Sequence, residues 1–359
     1  MIKTYQSYII KSFSKIFLYV FFIFLFLTVI LNIFEEVSFF KNTNVSLLFP
    51  LYMTLLNTPS VIYETFPFIF FIATQFFFIR LLDREELDIF KKISLSNIKL
   101  ILIISTFSLI ISGLIIVIFY NLSSNLKFLY LDIKNKYSKD NKYLAVVTEN
   151  GLWIRDEIDD KINIINAEAL DNQTLKNVSI NQFSKNYDII LNIVATEVNI
   201  ETNNWVIKKG KFSENNSSLK IKENYLFKTN FNALRINKLF SDLSSLNFIE
   251  LNNIRKNYEK VGYTINSINV HIHKLISYPF YLTIMTILGS IVMLNIKRNK
   301  SKIFHIILGT LFSVMIYYIS YFSGLLGQNE RLPLILSIWL PLIIIALFCL
   351  IGLVRINEK

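Results

Sequence analysis

The residues best suited to do chemistry lie in one short polar segment, between Arg80 and Lys99, that separates two long apolar stretches. Asp83 can N-cap a helix there, because an aspartate carboxylate accepts hydrogen bonds from the first free backbone N–H groups. Acidic residues follow Asp83 and basic residues come later in the segment, an order that complements the helix dipole. The segment therefore predicts a short amphipathic helix over residues 83–95.

Two interpretations of this helix stay open from the residues alone. Ile89, Phe90 and Ile93 form an apolar stripe, which either enters a groove on a partner protein or packs on the chain's own membrane ends. On the second interpretation, Glu86 completes a capping box with Asp83.

Two histidines form a second candidate site. His271 and His273 lie two residues apart, so on a strand they would share a face and could form half of a zinc site. No cysteine or third histidine lies nearby, so no metal site is expected. From the residues alone His273 is an ordinary residue at the membrane edge, and His305 is expected to serve in packing.

Two cations at the ends of apolar runs are candidates for binding lipid headgroups. Lys41 and Arg331 could meet lipid phosphates, Arg331 through paired hydrogen bonds. The alternative is that they snorkel to any anionic lipid. Glu35, Glu36 and Glu64 are expected at the same level, where they could pair with these cations.

The sequence contains no recognisable catalytic site. It offers no nucleophile with a base, no carboxylate pair and no phosphate-binding loop of the form G-x-x-x-x-G-K-[ST]. The net charge of +11 lacks the basic patch with interleaved aromatics that nucleic-acid binding needs. The one cysteine, Cys349, excludes an internal disulfide. No enzyme activity and no bound cofactor are expected of this chain.

The elements around these residues are long apolar helices. About 20 apolar residues cross a hydrocarbon core of about 30 Å, and five uncharged stretches reach that length: Ile16 to Phe34, Leu100 to Leu126, Leu275 to Ile296, Ile303 to Asn329 and Leu332 to Val354. The stretch from Lys41 to Arg80 contains Glu64 and three prolines, and could cross once or twice.

The distribution of lysine and arginine favours a single crossing there. With one crossing, all the short basic flanks fall on the cytoplasmic side, as the positive-inside rule requires. The chain then has six transmembrane helices with both termini in the cytoplasm. The long segment between the third and fourth helices lies on the far side, which is the periplasm in a bacterium with two membranes.

That segment, residues 127–272, has the pattern of a β domain. Its apolar runs are short, and Glu197 to Glu201 alternates polar and apolar residues, as a strand buried on one face does. Residues 202–204 read as a turn, and residues 205–207 as the returning strand. Helical spacing of Phe248, Leu251, Ile254 and Tyr258 predicts a short return helix. Further strands are expected at Leu144 to Val147, Leu152 to Ile154, Ile162 to Ile165, Ile189 to Val194 and Leu219 to Phe227.

The whole plan resembles the LptF/LptG family, the permeases of the lipopolysaccharide-export ABC transporter. That family has six spans, with a β-jelly-roll domain between the third and fourth. The domains expected here are helices 1–3 with the coupling helix at residues 1–126, the periplasmic jelly roll at 127–272, and helices 4–6 at 273–359. Several short motifs carry the likeness: Tyr8 to Phe13, Glu85-Glu86-Leu87, Gly151 to Asp156, Ala195-Thr196 with Trp205, and Leu332-Pro333 with Trp339-Leu340-Pro341.

The resemblance implies a function and a set of partners. It implies export of lipopolysaccharide from the bacterial inner membrane, beside a homologous second permease. It also implies a cytoplasmic ATPase dimer that uses ATP and magnesium, a periplasmic jelly-roll protein and a bitopic membrane partner. Asp83, Arg84, Glu86, Ile89, Phe90 and Ile93 would then form the ATPase-coupling helix, with Lys41, Arg331 and His273 near the lipid headgroup.

The sequence departs from the family in two places. Lys92 and Ser94 stand where alanine and glycine are common in the family, and the basic pair of the G-type subunit is reduced to Lys41. The positions of Trp153 and Trp205 resemble the G-type subunit, and each tryptophan either packs in the β-domain core or lines a groove for acyl chains. The alternative to transport is a membrane sensor or scaffold with a periplasmic β domain.

Overall fold

A computed structural model of the chain describes residues 4–41, 43, 45–137, 152–158, 161–171, 173–184, 188–214, 220–233, 236, 242–261, 265–295 and 301–357. The chain divides into two compact units. The membrane unit consists of residues 1–127 and 266–359, and the β unit consists of residues 128–265.

The helices follow one another along the chain, with one π-helical turn in the third span, at Ile115–Tyr120. Their bounds are α1 Thr4–Phe40, α2 Phe49–Asp83, α3 Glu86–Lys92, α4 Asn97–Leu114, α5 Asn121–Tyr137, α6 Phe248–Val261, α7 Asn266–Leu294, α8 Lys302–Gln328 and α9 Leu334–Asn357.

Six spans are confirmed within the described residues. The segments α1, α2, Asn97–Lys134, α7, α8 and Leu334–Ile356 are each long and apolar enough to cross a membrane. The uncertain stretch after Lys41 forms one helix, α2, that continues through Pro59 and Pro67. Neighbouring helices can satisfy the backbone groups that a proline leaves free in a membrane helix.

Helix α2 is the centre of the membrane unit. Of its most apolar window 61% is buried, against 22% for α1 and 17% for α8. Aromatic pairs join α1 to α2, with ring centroids 5.7 Å apart for Phe13 and Phe77 and 4.8 Å apart for Phe17 and Phe70. Without a hydrophobic force between helices in lipid, such close side-chain packing holds the spans together. The outer faces of α1 and α8 stay available to lipid or to another protein.

The β unit contains one antiparallel sheet in which the strands pair in sequence order. Its strands are β1 Leu152–Ile158, β2 Lys161–Asp171, β3 Thr174–Phe183, β4 Ile189–Asn199, β5 Asn204–Glu214 and β6 Lys220–Lys228. An all-β insert between the third and fourth spans is therefore confirmed. The predicted hairpin is also confirmed, since Val198 faces Ile207 and Asn199 faces Val206.

The strand predictions needed two changes. Strand β3 was not predicted, because it is rich in polar residues and its buried Leu175, Val178 and Ile180 do not alternate regularly: the strand is irregular at Asn177, whose φ is 51°. The two strands expected around residues 189–201 are one strand, β4. The strand expected at Leu144 to Val147 lies outside the described residues. The return helix is confirmed as α6.

The two tryptophans of the β unit differ in environment. Trp205 is fully buried and donates from Nε1 to the carbonyl oxygen of Phe231 at 2.7 Å, so it is a core residue. Trp153 is 46% exposed, so full burial in the core is wrong for it. Side chains alternate between the two faces of a strand, and the neighbours Leu152 and Ile154 take the buried face.

A buried carboxylate on β1 binds the residues that directly follow β6. Asp156 is 3% exposed and accepts hydrogen bonds from Thr229 Oγ1 at 2.7 Å and from the backbone N–H of Asn230 at 3.0 Å. The side-chain amide of Asn230 also donates to it, at 2.8 Å. A buried charge is tolerated when it is hydrogen-bonded in this way. The aspartate of the Gly151 to Asp156 motif is therefore structural.

Candidate coupling site

The polar segment after α2 forms a short helix, α3, between two tight turns. Helix α2 continues through Asp83, and the chain then turns at Glu85, whose φ of 56° lies in the left-handed region. Helix α3 begins at Glu86 and its N-cap residue is Glu85, which makes no side-chain cap hydrogen bond. The predicted N-cap at Asp83 is therefore wrong, because Asp83 is the last residue of the preceding helix.

The two faces of α3 have different environments. Leu87 and Phe90 are each 8% exposed and belong to the same apolar cluster as Ile9 and Phe13 of α1. Ile89 is 54% exposed and Ile93 is 58% exposed. These two isoleucines lie four residues apart and so occupy one face of the helix. The predicted stripe is divided, with Phe90 in the core and the two isoleucines outside.

The C-terminal end of α3 is a Schellman motif. Ser94 has a φ of 58°, and its N–H donates to the carbonyl oxygen of Lys91 at 3.0 Å. The N–H of Leu95 donates to the carbonyl oxygen of Phe90 at 2.9 Å, and both side chains are buried. This pattern, with its apolar contact, usually has glycine in place of Ser94. The motif fixes the direction in which α3 leads into α4.

Glu86 is held by the first helix rather than by a capping box. Its Oε1 atom accepts a hydrogen bond of 2.9 Å from the hydroxyl of Tyr8, and lies 3.9 Å from the guanidinium of Arg84. Its side chain is 13% exposed. Its Oε2 atom is buried and has no hydrogen-bond partner among the described residues. The carboxylate of Glu86 is therefore under-satisfied within the chain, and a further donor would stabilise it.

The start of α3 is also tied to α8. Lys302, the first residue of α8, forms an ion pair with Asp83 at the end of α2. Arg84 beside it is 60% exposed. The joint between α2 and α3 thus contacts α1 through Glu86 and α8 through Asp83. These are the two spans with the least buried windows.

The exposed side of α3 has a mixed surface. Ile89 and Ile93 are surrounded by Asp88, Lys91 and Lys92, which are all exposed. Acidic residues at the beginning and basic residues at the end complement the helix dipole, as predicted. An apolar centre with charged residues around it is typical of a surface that binds another protein. The structure brings Asp83, Arg84, Glu86, Ile89 and Ile93 together on this one segment.

The three headgroup candidates occupy separate places. Lys41 is exposed and directly follows α1, and Arg331 is exposed between α8 and α9. His273 lies on α7, where its Nδ1 atom is 3.3 Å from the indole Nε1 of Trp339. No hydrogen bond or ion pair among the described residues joins these three side chains.

The histidine pair does not have the geometry that the sequence suggested. Both residues lie on α7, where positions two apart point in different directions. The Nε2 atom of His271 lies 3.1 Å from the hydroxyl of Tyr120, whereas His273 contacts Trp339. A shared strand face at this position is therefore wrong, because the helix α7 begins at Asn266, nine residues before the uncharged stretch that starts at Leu275.

Sequence reasoning missed Lys274, which lies inside the fourth span. A Cβ atom built on Gly324 would come within 2.7 Å of its Cε atom, so its stem crosses α8 where there is no side chain. The carboxylate of Glu64 on α2 interacts with it electrostatically. The sequence reasoning placed the start of this span at the uncharged stretch that begins at Leu275, directly after Lys274.

Comparison with known proteins identifies the family. A model of the lipopolysaccharide export system permease family LptF/LptG matches residues 7–355. The comparison with curated proteins found no significant match to the chain. The match includes all six spans, the β unit and α3, and agrees with the resemblance seen in the sequence. The chain therefore belongs to the LptF/LptG family of lipopolysaccharide export permeases.

Proposed function

We propose that this chain is one permease subunit of an ATP-driven exporter in the bacterial inner membrane. In this proposal the subunit pairs with a homologous permease and extracts lipopolysaccharide laterally from the bilayer. It then passes the lipid to a periplasmic bridge of β-jelly-roll domains, shared with a periplasmic protein and a bitopic membrane partner. The bridge gives the acyl chains an apolar path through water, for which edge-to-edge strand pairing supplies the joints.

The observation that carries the proposal is the exposed face of α3. Two large apolar side chains, Ile89 and Ile93, are exposed on a helix that the buried Leu87 and Phe90 anchor to the membrane unit. A face of this kind fits an apolar groove on a partner. We assign that groove to a cytoplasmic ATPase dimer, because the chain has no phosphate-binding loop of its own. ATP and magnesium then belong to the ATPase.

The distribution of charge supports the orientation in this proposal. Lysine and arginine are frequent in the first 15 residues, around α3 and between α7 and α8, and Arg355 and Lys359 lie at the end of the sequence. These flanks are short, and the positive-inside rule places such flanks in the cytoplasm. Helix α3 then faces the cytoplasm, and the β unit faces the periplasm. Lys41, Arg331 and His273 lie at the outer ends of spans, where lipid phosphates are found.

The proposal is tested by the amount of ATPase retained on purified permease. Replacing Ile89 and Ile93 together by serine should remove most of the retained ATPase, because the apolar area that the groove would bury is lost. Ile303, which is 67% exposed at the start of α8, offers a matched control. Ile303→Ser should leave retention unchanged. Mass spectrometry of the purified complex should also identify a second six-span permease.

Full retention in the double serine variant would contradict docking at α3. Purification of the chain without any ATPase or second permease would instead favour a sensor or scaffold. Insertion into the membrane should be the same for all variants, so that retention is compared at equal amounts of permease.

A further inference from the structure

We infer that Tyr8 is a positioning residue that transmits movement of α3 to the first span through the carboxylate of Glu86. The inference rests on the proposed function, in which α3 binds an ATPase. It adds a specific route by which movement of α3 reaches the part of the molecule that faces lipid.

The contact joins two elements that are far apart in the chain. The hydroxyl of Tyr8 on α1 donates to Oε1 of Glu86 at 2.9 Å, across 78 positions of sequence. Glu86 is the first residue of α3, so the bond lies at the turn between α2 and α3. Any rotation of α3 relative to α1 changes the length of this hydrogen bond directly.

Glu86 is the more enclosed partner of this bond, since Tyr8 is 43% exposed. The side chain of Glu86 is 13% exposed, and its Oε2 atom is buried without a hydrogen-bond partner among the described residues. The carboxylate therefore depends on Tyr8 for much of its hydrogen bonding. A buried charge that loses a donor is destabilised more than an exposed one. When α3 moves, the lower-energy response is for Tyr8 to follow Glu86.

Helix α1 carries such a displacement to the opposite side of the membrane. It is one continuous helix of 37 residues, which corresponds to about 55 Å at 1.5 Å per residue. The side chains that it presents outward recur every fourth residue: Leu18, Phe22, Phe26, Ile30 and Phe34 are each more than 50% exposed. The exposed Lys41 follows directly after its last residue. Tyr8 and Lys41, a candidate for binding lipid headgroups, thus lie near opposite ends of α1.

Aromatic pairs between α1 and α2 support α1 along its length. Phe13 packs on Phe77, and Phe17 packs on Phe70. The N-terminal end of α1 contacts α3 through Tyr8, and the middle of α1 packs on α2. Helix α2 in turn leads directly into α3. A displacement at Tyr8 then tilts the outward face of α1 relative to the central helix.

The test removes the hydroxyl of Tyr8 and keeps its ring. Permease with Tyr8→Phe is assembled with the second permease and saturating ATPase in vesicles that contain lipopolysaccharide. Three quantities are measured: ATPase retained, ATP hydrolysed, and lipid released per ATP. Retention should be unchanged, and lipid released per ATP should fall about threefold or more, within the range expected for one lost hydrogen bond. A purely structural role would not change this ratio.

Tyr5 provides the matched control. It lies on the same helix and packs, partly buried, against the same apolar cluster. Tyr5→Phe should therefore preserve the wild-type ratio of lipid to ATP. An equal loss in Tyr5→Phe and Tyr8→Phe would overturn the inference, because the loss would then come from the packing of α1.

A double-mutant cycle ties the effect to Glu86. Glu86→Ala removes the acceptor, so adding Tyr8→Phe to it should lower the lipid released per ATP no further. A full additional loss would overturn the inference, since Tyr8 would then act through another group. An unchanged ratio in Tyr8→Phe alone would also overturn it, and would leave the proposed docking intact as long as the isoleucine variants lose ATPase. Full retention in those isoleucine variants would overturn the docking and the inference together.

Discussion

Glu86 combines a nearly buried carboxylate with a position at the start of a helix whose other face is exposed. Within the chain it has one hydrogen bond from Tyr8 and a longer approach from Arg84. A carboxylate with an oxygen left unpaired in a nearly buried position is stabilised by any cation that reaches it. In the proposed complex, Glu86 is therefore well placed to pair with a basic residue of the ATPase.

We predict that Glu86→Gln weakens ATPase association and lipid transport while membrane insertion and permease pairing stay intact. Glutamine can still accept the hydrogen bond from Tyr8, so the change removes the charge alone. The lost charge-assisted pair corresponds to about 1.5–3 kcal/mol of binding free energy. Glu86→Arg should be worse, because it sets like charges against each other. The measurement is the affinity of purified ATPase for permease of each type.

Equal affinity for wild type, Glu86→Gln and Glu86→Arg would remove Glu86 from the docking surface. Asp88 offers a control on the same helix, since it is also acidic but exposed. Asp88→Asn should change the affinity less than Glu86→Gln, because an exposed ion pair contributes only about 0–1 kcal/mol.

At the scale of elements, helix α3 depends on two turns made by residues other than glycine. Both Glu85 and Ser94 have a positive φ, which costs energy for any residue with a Cβ atom. The family commonly has glycine late in this segment, and the Schellman geometry at Ser94 explains that preference physically. Both turns therefore form at a cost in free energy, because glutamate and serine disfavour a positive φ.

We predict that Ser94→Gly stabilises α3 locally by about 1 kcal/mol. Glycine adopts a φ near 58° without strain, and the hydrogen bonds of the motif come from the backbone. Amide hydrogen exchange within α3 should become slower by about fivefold. Ser94→Ala is the matched control and should give no such protection, because alanine keeps the Cβ atom. Equal protection by glycine and alanine would show that Ser94 is not strained.

The sequence pattern predicted the long helices but not the residues at which they begin and end. Apolar length predicts five of the six spans, because few other structures bury 20 apolar residues in a row. The distribution of lysine and arginine predicts the single crossing between Lys41 and Arg80. The boundary at Asp83 was wrong because an aspartate can cap a helix or end one, and only the packing of α2 decides between them. The start of the fourth span was also placed too late. Lys274 and the two histidines therefore fell outside a helix that includes them.

The site was predictable as a segment but not as a set of contacts. Charge order and apolar spacing predicted a helix over residues 83–95, and α3 occupies the shorter range Glu86–Lys92 within it. The division of its stripe, with Phe90 inside, depends on which side of α3 meets the membrane unit, and local sequence does not contain that information. The bond from Tyr8 to Glu86 and the three donors on Asp156 join residues more than 70 positions apart. Such contacts follow from tertiary packing alone.

At the scale of the whole molecule, the arrangement of the spans relates coupling to lipid access. Helix α2 is central and mostly buried, whereas α1 and α8 are the least buried spans. Both of them contact the joint between α2 and α3, through Tyr8 and through Lys302. An ATPase that moves α3 would therefore act on the two helices with the largest faces open to lipid or to the second permease.

This account requires α3 and the β unit to lie on opposite sides of the membrane. Single cysteines in a Cys349→Ala background test that requirement, since Cys349 is the only native cysteine and is buried. Cysteines at the exposed Thr202 of the β unit and Asn329 after α8 should react with an impermeant thiol reagent applied from the periplasmic side.

Cysteines at the exposed Lys92 of α3 and Ser301 before α8 should be protected from that reagent until the membrane is permeabilised. Six crossings place these positions on the cytoplasmic side, and an impermeant reagent does not pass the hydrocarbon core. All four cysteines should react in detergent, which controls for their accessibility. Reaction of Lys92→Cys in intact membranes would reverse the topology and separate α3 from a cytoplasmic ATPase.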